Sequence, residues 1–277
     1  MPLPENVDRD VVTDFGKQWS KFDQSGLSES ERQPLFDEYF AIFPWHQLGP
    51  GAVGFDLGCG SGRWAVAVAP RVGHLHCVDP SAAIEVAKRN LKDAPNCSFH
   101  RATVDAMPLA DGTMDFGYSL GVLHHVPDTQ QGIADCVRKL KKGAPFLLYL
   151  YYAFDNQPSW FRLIWKLSEG LRWTISSMPT PLKFASSQVI AAVIYWPLAR
   201  TATLMKRAGL SVHSFPLGAY WNRSFYAMRT DALDRFGTRL EQRFTRDQMR
   251  QMMEAAGLER VTFSPTVPFW TAVGYKK

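Results

Sequence analysis

Apolar and aromatic runs alternate with segments of helical spacing through the middle of the chain, from residue 52 to residue 152. Apolar residues recur every three or four positions in a half-buried helix, whereas a strand buried on both faces is a short continuous apolar run. The alternation therefore predicts parallel strands joined by helices. The predicted strands are AVGFDL (52–57), HLHCVD (74–79), CSFHRAT (97–103), MDFGYSL (114–120) and PFLLYLYY (145–152).

The pattern changes after this region, and residues 153–240 are predicted to form a mostly helical insertion. Its first segment carries apolar residues at helical spacing, such as Trp160 and Ile164. A later run, 189–199, is apolar for only eleven residues and contains a proline. Because roughly 20 apolar residues are needed to cross a bilayer, no transmembrane span is predicted.

Tryptophan is concentrated in the insertion. Five of the nine tryptophans lie there: Trp160, Trp165, Trp173, Trp196 and Trp221. Such large side chains predict that an extensive apolar surface is covered in this region. The sequence leaves open whether the core, an acceptor molecule, a second subunit or lipid covers it.

The end of the chain returns to strand and helix patterns. Thr245 and Gln248 form a capping box, which predicts that a helix begins there. Two strand candidates follow, ERVTFS (259–264) and FWTAVGY (269–275). Residues 241–277 are therefore predicted to complete the sheet that begins at residue 52.

Composition excludes several classes of protein. The 277 residues are 46% apolar, 13% aromatic and 21% charged, which allows a sizeable core and excludes a disordered chain. The four cysteines form no CxxC pair and no histidine lies at zinc-finger spacing, so we expect neither a disulfide framework nor a metal site. The acidic N-terminus lacks the basic start and apolar centre of a signal peptide, and we expect a cytoplasmic location.

The net charge of +5 comes from one stretch of the chain. Residues 200–260 hold eleven basic and six acidic residues, and ten of the eleven are arginine. The planar arginine side chain suits carboxylate or phosphate, which favours an anionic acceptor or an anionic membrane surface. Ordinary solvated faces and internal ion pairs would account for the same pattern.

The strongest chemical signal is GFDLGCGSGRW (54–64), in which a strand ends on an acid and a glycine-rich turn leads into a helix. Glycines allow a tight turn and close approach of a ligand, and a helix N-terminus offers free amides. The spacing is GxGxG, and Arg63 stands where the dinucleotide fingerprint has its third glycine. Asp56 would repel a diphosphate but would suit an ammonium or sulfonium group. The sequence therefore favours a cationic ligand over a pyrophosphate cofactor.

Two further acids end strands beside this turn. Asp79 ends the second strand, where a carboxylate can accept both hydroxyls of a ribose. Asp105 follows the third strand, where it can accept from the exocyclic amine of adenine. Acids at neighbouring strand ends indicate a nucleoside site, because the carboxyl ends of parallel strands meet at one edge of the sheet.

These motifs give the chain a family resemblance. DLGCGSG, Asp79, the segment VDAMPLADGTMDFGYSLGVLHHVPD (104–128) and the C-terminal AGLERV resemble class I S-adenosylmethionine-dependent methyltransferases. Within this class the chain is similar to ubiquinone- and menaquinone-type C-methyltransferases and to many small-molecule O- and N-methyltransferases. The resemblance covers about residues 14–152 and the last thirty-odd residues, and leaves out the insertion.

The resemblance implies a fold and a cofactor. It implies an α/β fold, a Rossmann-like three-layer sandwich with a seven-stranded, mostly parallel sheet and a helical insertion after strand five. The cofactor would be S-adenosylmethionine, with S-adenosylhomocysteine as product. The implied organisation is an N-terminal helical lid (1–48), a cofactor-binding core (49–152), an insertion forming an acceptor pocket or lid (153–240) and a closing helix with two strands (241–277).

The same resemblance implies the residues of the cofactor site. Phe15 and Trp19, in the segment FGKQW, match a lid that such enzymes place over the cofactor. Ser119 and Leu120 would border the sulfonium. The complete implied set is Phe15, Trp19, Asp56, Gly58, Gly60, Gly62, Asp79, Pro80, Asp105, Ala106, Ser119 and Leu120.

Methyl transfer from a sulfonium needs alignment above all, and a base only when the nucleophile is a hydroxyl or an acidic carbon. His124 and His125 follow strand four, where the family borders its acceptor, and His124 is the preferred base. The alternative is that one histidine is packed and the other solvated. Tyr151 and Tyr152 would touch the acceptor or belong to the core. Asp128 is interpreted as a helix cap rather than a base.

The acceptor is expected to be a small or lipid-linked molecule. The alternative within the class is a membrane-associated C-methyltransferase of a quinone or lipid, with peripheral membrane contact through the insertion. Outside the class, an NAD-dependent oxidoreductase and a non-catalytic S-adenosylmethionine-binding protein remain as alternatives. A nucleic acid acceptor is not expected, because SLGVLHH stands where NPPY-like residues would follow strand four. A monomer or a homodimer is expected.

Overall fold

The computed structural model describes residues 5–24 and 28–277. The chain forms two compact units, which we call the core unit and the helical unit. Among the described residues, the core unit comprises 5–24, 33–153 and 240–277, and the helical unit comprises 28–32 and 154–239. The main segment of the helical unit lies within one residue of the predicted insertion at each end.

The described part of the core unit contains one seven-stranded sheet with strand order 3-2-1-4-5-7-6. The first five strands are parallel, and the seventh runs antiparallel between the fifth and the sixth. This arrangement confirms the predicted sheet. The strands are β1 (Val53–Leu57), β2 (His74–Val78), β3 (Cys97–His100), β4 (Phe116–Leu120), β5 (Pro145–Tyr149), β6 (Leu258–Phe263) and β7 (Thr271–Lys276).

Helices cover the sheet on both faces, as expected for a mostly parallel sheet. On β5, Phe146 and Leu148 join one hydrophobic core, whereas Leu147 joins the other. The helices of this unit are α1 (Arg9–Lys21), the C-terminal part of α2 (Glu29–Tyr39), α3 (Ala65–Val68), α4 (Ala83–Asn90), α5 (Thr129–Lys139) and α10 (Arg246–Ala255). Short 3₁₀ turns span Trp45–Gln47, Ala69–Arg71 and Leu123–His125.

Helix α1 is fixed at its start by two side chains. The Asp8 carboxylate caps the helix by accepting the backbone N–H groups of Asp10 and Val11. Just before it, the Asn6 side chain both donates to the carbonyl of Asp128 and accepts its N–H, at 2.8 and 2.9 Å. These bonds attach the start of α1 to the loop that precedes α5.

The helical unit consists of helices around a small apolar centre of its own. Ile190, Tyr195 and Ala199 pack there against Met228 and Phe236. The elements are α6 (Ser159–Ser176), α7 (Thr180–Ile190), a π turn (Ala191–Tyr195), α8 (Trp196–Arg207), a 3₁₀ turn (Gly218–Tyr220) and α9 (Phe225–Gly237).

Helix α7, the π turn and α8 form one unbroken helix over Thr180–Arg207, which extends well beyond the eleven-residue apolar run recognised in the sequence. The wider π turn accommodates Pro197, whose ring and missing N–H would disrupt an α-helix. Its most apolar 18-residue window has a mean hydropathy of 1.2, and 33% of that window is buried. By length and composition alone this helix could span a membrane.

Candidate active site

The glycine-rich turn between β1 and α3 has the backbone that the sequence predicts. Gly58, Gly60 and Gly62 have φ values of +74°, +53° and +79°, a region that side-chain-bearing residues rarely adopt. A Cβ atom on Gly58 would lie 2.3 Å from the Val122 side chain. Position 58 therefore requires glycine, because a larger residue would be strained at this φ value and its Cβ atom would clash with Val122.

Asp79 holds this turn to the end of β2. Its Oδ2 accepts the N–H of Gly60 at 2.9 Å, and its Oδ1 accepts the backbone N–H and the hydroxyl of Ser81 at 2.8 and 2.6 Å. Burial raises the pKa of Asp79, and the hydrogen bonds from Ser81 and Gly60 oppose that rise. Oδ1 already accepts two donors, whereas Oδ2 accepts only one and has a lone pair left, through which the residue can receive a ribose hydroxyl as proposed from the sequence.

Asp56 lies at the end of β1 and is completely enclosed. Its Oδ2 accepts the hydroxyl of Tyr118 at 3.0 Å, across the β1–β4 pair where the two residues are in register. Burial raises the pKa of Asp56 to about 8, and the nearby charge of Asp79 adds to the rise. A cation placed near this carboxyl would lower its pKa again, because an opposite charge favours the ionised form.

Helix α1 covers the glycine turn, as a lid would. The rings of Phe15 and His125 are 4.9 Å apart. One turn further along α1, Trp19 lies against the glycine turn: a Cβ atom on Gly60 would lie 3.2 Å from its indole nitrogen. The guanidinium of Arg63 lies 5.4 Å from the Trp19 ring centre. The predicted lid residues therefore contact both the glycine turn and the histidine turn.

Buried polar atoms without a hydrogen-bond partner surround this region. They are Gln18 Nε2, Ser61 Oγ, Asp105 Oδ1 and Ser119 Oγ. They lie on α1, in the glycine turn, after β3 and at the end of β4, and these elements meet at the carboxyl edge of the sheet. Because a buried polar atom without a partner is costly, these atoms fit a polar ligand such as a nucleoside with an amino-acid tail.

Two of these atoms belong to residues that the sequence analysis did not select. Gln18 lies three residues after Phe15 on α1 and is buried, so helical spacing from the predicted lid residues could have indicated it. Ser61 lies between two predicted glycines. Tyr118, the partner of Asp56, was also missed, since only the register of β1 and β4 brings the two together.

The remaining predicted cofactor residues lie at the same edge of the sheet, but their contacts give weaker support for cofactor binding. The Ala106 amide donates to the carbonyl of Thr103 at 3.2 Å, so it is already engaged in a turn. The Pro80 carbonyl accepts from Arg101 at 3.3 Å. Leu120 is buried at the end of β4. Recognition of adenine by the Ala106 amide stays a prediction.

The two histidines occupy different environments. His124 is fully buried, and neither of its ring nitrogens has a hydrogen-bond partner. Burial, together with His125 and the positive charge of Arg243, lowers the pKa of His124 well below its usual value. His125 Nδ1 lies 2.7 Å from the carbonyl oxygen of Leu240. Because a carbonyl only accepts, Nδ1 carries the proton and the lone pair of the neutral ring lies on Nε2.

Only one of the two predicted acceptor tyrosines lies with the histidines. The Tyr151 ring stacks on His124 at 3.9 Å, and the guanidinium of Arg243 lies 5.0 Å from it. Tyr152 instead contacts Phe269, 5.9 Å away, and packs against the hydrophobic core. Both residues follow β5 rather than ending it. Tyr151 therefore lies with the histidines and Tyr152 with the core, and an acceptor contact at either residue stays a prediction.

Asp128 has the capping role expected of it. Its Oδ1 accepts the N–H of Gln131 at 2.9 Å at the start of α5. Among the residues that the structure describes, no group of three or more His, Cys, Asp or Glu side chains could hold a metal ion.

The strand order, the glycine turn and the strand-end acids together define the Rossmann-like methyltransferase fold. Residues 55–148 match the family described as a methyltransferase domain. The ubiquinone biosynthesis O-methyltransferase of Hahella chejuensis is 29% identical over 150 residues, which is 50% of this chain and 60% of that protein. The 2-phytyl-1,4-naphtoquinone methyltransferase of Nostoc sp. is 31% identical over 148 residues, again 50% of this chain and 60% of that protein.

A solved structure agrees on the fold. A candidate methyltransferase from Bacillus halodurans superimposes with a TM-score of 0.50 at 16% identity, covering 82% of this chain and 71% of that chain. Residues 55–148 therefore match a methyltransferase domain in sequence, and the core unit shares the fold of that structure. The matched segments span at most 60% of the two curated relatives.

Proposed function

We propose that the protein transfers a methyl group from S-adenosylmethionine to a small or lipid-linked acceptor carrying an aromatic ring of the quinol type. The observation that carries this proposal is the set of unpartnered buried polar atoms around a glycine turn that Asp79 holds in place. When bound, S-adenosylmethionine supplies an electrophilic methyl group on a sulfonium with a neutral leaving group.

The chain's own residues provide binding and alignment. Asp79 is proposed to bind the ribose and Asp105 the adenine amine. Gln18 offers a donor for the carboxylate of the cofactor, and Asp56 offers a negative charge for its cationic groups. Helix α1 excludes water from the glycine turn through Trp19. Positioning of this kind is worth up to roughly 7–11 kcal/mol in model reactions.

His125 is proposed as the base that takes the proton of the acceptor hydroxyl or ring carbon. The Leu240 carbonyl fixes the ring orientation and directs the basic lone pair to Nε2. His124 was the preferred base from sequence, but full burial with a strongly lowered pKa makes it a weaker one. We assign His124 to support of the Tyr151 ring, on which it stacks.

The acceptor class is inferred from two observations. The half-buried Tyr151 ring lies beside His125, which suits an aromatic acceptor. The names of the two curated relatives place quinone-type molecules among the acceptors of similar proteins. The proposal includes a cytoplasmic location and leaves the methylated atom open between oxygen and carbon.

The decisive experiment measures binding and turnover with the full chain. Calorimetry should show binding of S-adenosylhomocysteine and no binding of NAD. Radiolabelled methyl groups from S-adenosylmethionine should appear on a hydroxylated benzoquinol or naphthoquinol. Binding of NAD alone would overturn the proposal in favour of an oxidoreductase. Cofactor binding with no methyl transfer to quinols or to a cell extract would favour a non-catalytic binding protein.

A further inference from the structure

The helical unit exposes apolar side chains along two helices. On α6, five large apolar residues recur at spacings of three, one, three and four positions, which places them on one side of the helix. Leu167 is 72% exposed. The stripe consists of Trp160, Leu163, Ile164, Leu167 and Leu171. A run of exposed apolar residues this long on one helix indicates an interaction surface.

The long helix Thr180–Arg207 has a similar exposed side. Its large exposed residues are Leu182, Val189, Val193, Ile194, Trp196 and Leu204. Between Leu182 and Leu204 no exposed residue of this helix is charged, since Lys183 is buried and Arg200 is half-buried against Trp196. The opposite side carries Ile190, Ala191 and Tyr195 into the centre of the unit. One side is therefore committed to packing, and the other is exposed. We call these two exposed sides the apolar face.

Positively charged side chains lie on the same two helices as the apolar face. Residues 156–230 contain nine Lys and Arg and a single acid, Glu169. That acid is engaged by two arginines, Arg172 at 3.1 Å and Arg235. On α6 the exposed cations are Arg162 and Lys166, and on the long helix they are Lys206 and Arg207. Trp173, 71% exposed, lies on the same helix as the first pair.

We propose that the apolar face docks on the surface of an anionic lipid bilayer. Exposed Leu, Val and Trp beside Lys and Arg, with no exposed acid on either helix, match the chemistry of the bilayer interface. Trp favours the interface because its ring is apolar and its N–H is polar. This proposal is independent of methyl transfer and concerns only where the protein resides.

Charge and packing favour docking on a bilayer surface over three alternatives: contact with a second copy of the chain, contact with nucleic acid, and a full membrane crossing. A second copy meeting this face would bring the same cations together, which is repulsive. Nucleic acid would pair with cations but would leave the aliphatic residues of both helices uncovered. A full membrane crossing would remove the long helix from its contacts with α9 and expose the buried Lys183. Interfacial docking keeps those contacts intact.

Vesicle flotation with the full chain tests the proposal. The chain should float with phosphatidylcholine vesicles containing about one-third phosphatidylglycerol and only weakly with phosphatidylcholine alone. High salt should reduce binding without abolishing it, because salt screens the charges but leaves the apolar contact. Brominated lipids should quench tryptophan fluorescence most strongly when the bromine is near the headgroup.

Variants separate the apolar contribution to vesicle binding from the electrostatic contribution. Leu163→Gln with Leu167→Gln should weaken vesicle binding at least about tenfold, because two exposed leucines no longer enter the interface. Leu163→Met with Leu167→Met keeps the positions apolar and should bind as the parent does. Arg162→Gln with Lys166→Gln should weaken binding only at low salt. Arg89→Gln with Lys92→Gln, on the core unit, changes the net charge equally and should have no comparable effect.

Each opposing result overturns the proposal. Failure to float with anionic vesicles, or equal binding by the two leucine double variants, excludes the apolar face as a lipid surface. Self-association abolished by the Gln pair would assign the face to a second copy, and tighter binding to duplex DNA than to vesicles would assign it to nucleic acid. Quenching strongest at the bilayer centre would indicate a membrane span. S-adenosylhomocysteine affinity, measured in parallel, reports on the proposed function separately.

Discussion

His125 Nδ1 donates to the carbonyl oxygen of Leu240 at 2.7 Å, although the two residues are 115 positions apart in the chain. Leu240 begins the final segment of the core unit. The same segment supports the histidine turn twice more: the Gln242 N–H donates to the His124 carbonyl at 3.0 Å, and its side chain donates to the Val126 carbonyl at 2.8 Å. The orientation of His125 is therefore set by the chain that follows the helical unit.

Replacing His125 should separate catalysis from cofactor binding. His125→Gln removes the proposed base, and turnover should fall about 10²-fold or more, the usual contribution of a general base. The affinity for S-adenosylhomocysteine, measured by calorimetry, should change little. His124→Gln is the matched control and should cost less turnover, because His124 is assigned a supporting role. A larger loss from His124→Gln than from His125→Gln would contradict the assignment.

Replacing Asp79 should weaken cofactor binding. Asp79→Ala removes the acceptor for the ribose and the bond to the Gly60 amide, so the affinity for S-adenosylhomocysteine should fall by about 1–3 kcal/mol. Ser81→Ala removes only one donor to the same carboxylate and should have a smaller effect. Unchanged affinity in Asp79→Ala would count against the ribose assignment.

Gln18 tests whether the unpartnered donor on the lid serves the cofactor. Gln18→Met keeps a similar volume and removes the donor, so it should weaken cofactor binding while stabilising the cofactor-free protein. Thermal unfolding with and without S-adenosylhomocysteine measures both effects. Lys17→Met, at the exposed neighbouring position, is the control. A variant whose cofactor affinity equals that of the parent would remove Gln18 from the site.

Local signals made much of this fold predictable. The capping box of Thr245 and Gln248 depends on residues three positions apart. The glycine turn can be recognised from its closely spaced glycines alone. The bond from His125 to Leu240 is invisible in the sequence, because it joins residues brought together only by tertiary packing. The length of the helix Thr180–Arg207 was missed for another reason: a proline normally ends a helix, and the π turn that tolerates it leaves no clear sequence signal.

Asp128 should matter for stability and not for chemistry. Its carboxylate caps α5, so Asp128→Ala should lower the free energy of unfolding by about 0.5–2 kcal/mol. Asp128→Asn keeps the capping oxygen and should be nearly as stable as the parent, and both variants should retain turnover. Denaturant unfolding and methyl-transfer assays measure the two properties. Lost turnover in the stable Asn variant would indicate that Asp128 acts as a base after all.

Asp56 should give the stability of the protein a distinctive pH dependence. In the unfolded chain the carboxyl loses its proton near pH 4, whereas burial raises its pKa to about 8 in the folded protein. Between about pH 4 and pH 8 the folded state therefore holds one more proton than the unfolded state does. This group's contribution to stability is present below about pH 4 and is lost as pH rises toward 8.

Asp56→Asn removes the titration and keeps an oxygen that accepts the Tyr118 hydroxyl. The cofactor-free variant should therefore gain stability over the parent as pH rises from about 4 to 8, with the difference greatest near pH 8. Denaturant unfolding at several pH values measures it. Asp93→Asn, at an exposed position, should run parallel to the parent across that range. A difference in unfolding free energy between Asp56→Asn and the parent that stays constant with pH would mean that the carboxyl is already ionised in the folded protein. The conclusion that Asp56 is neutral there would then be wrong.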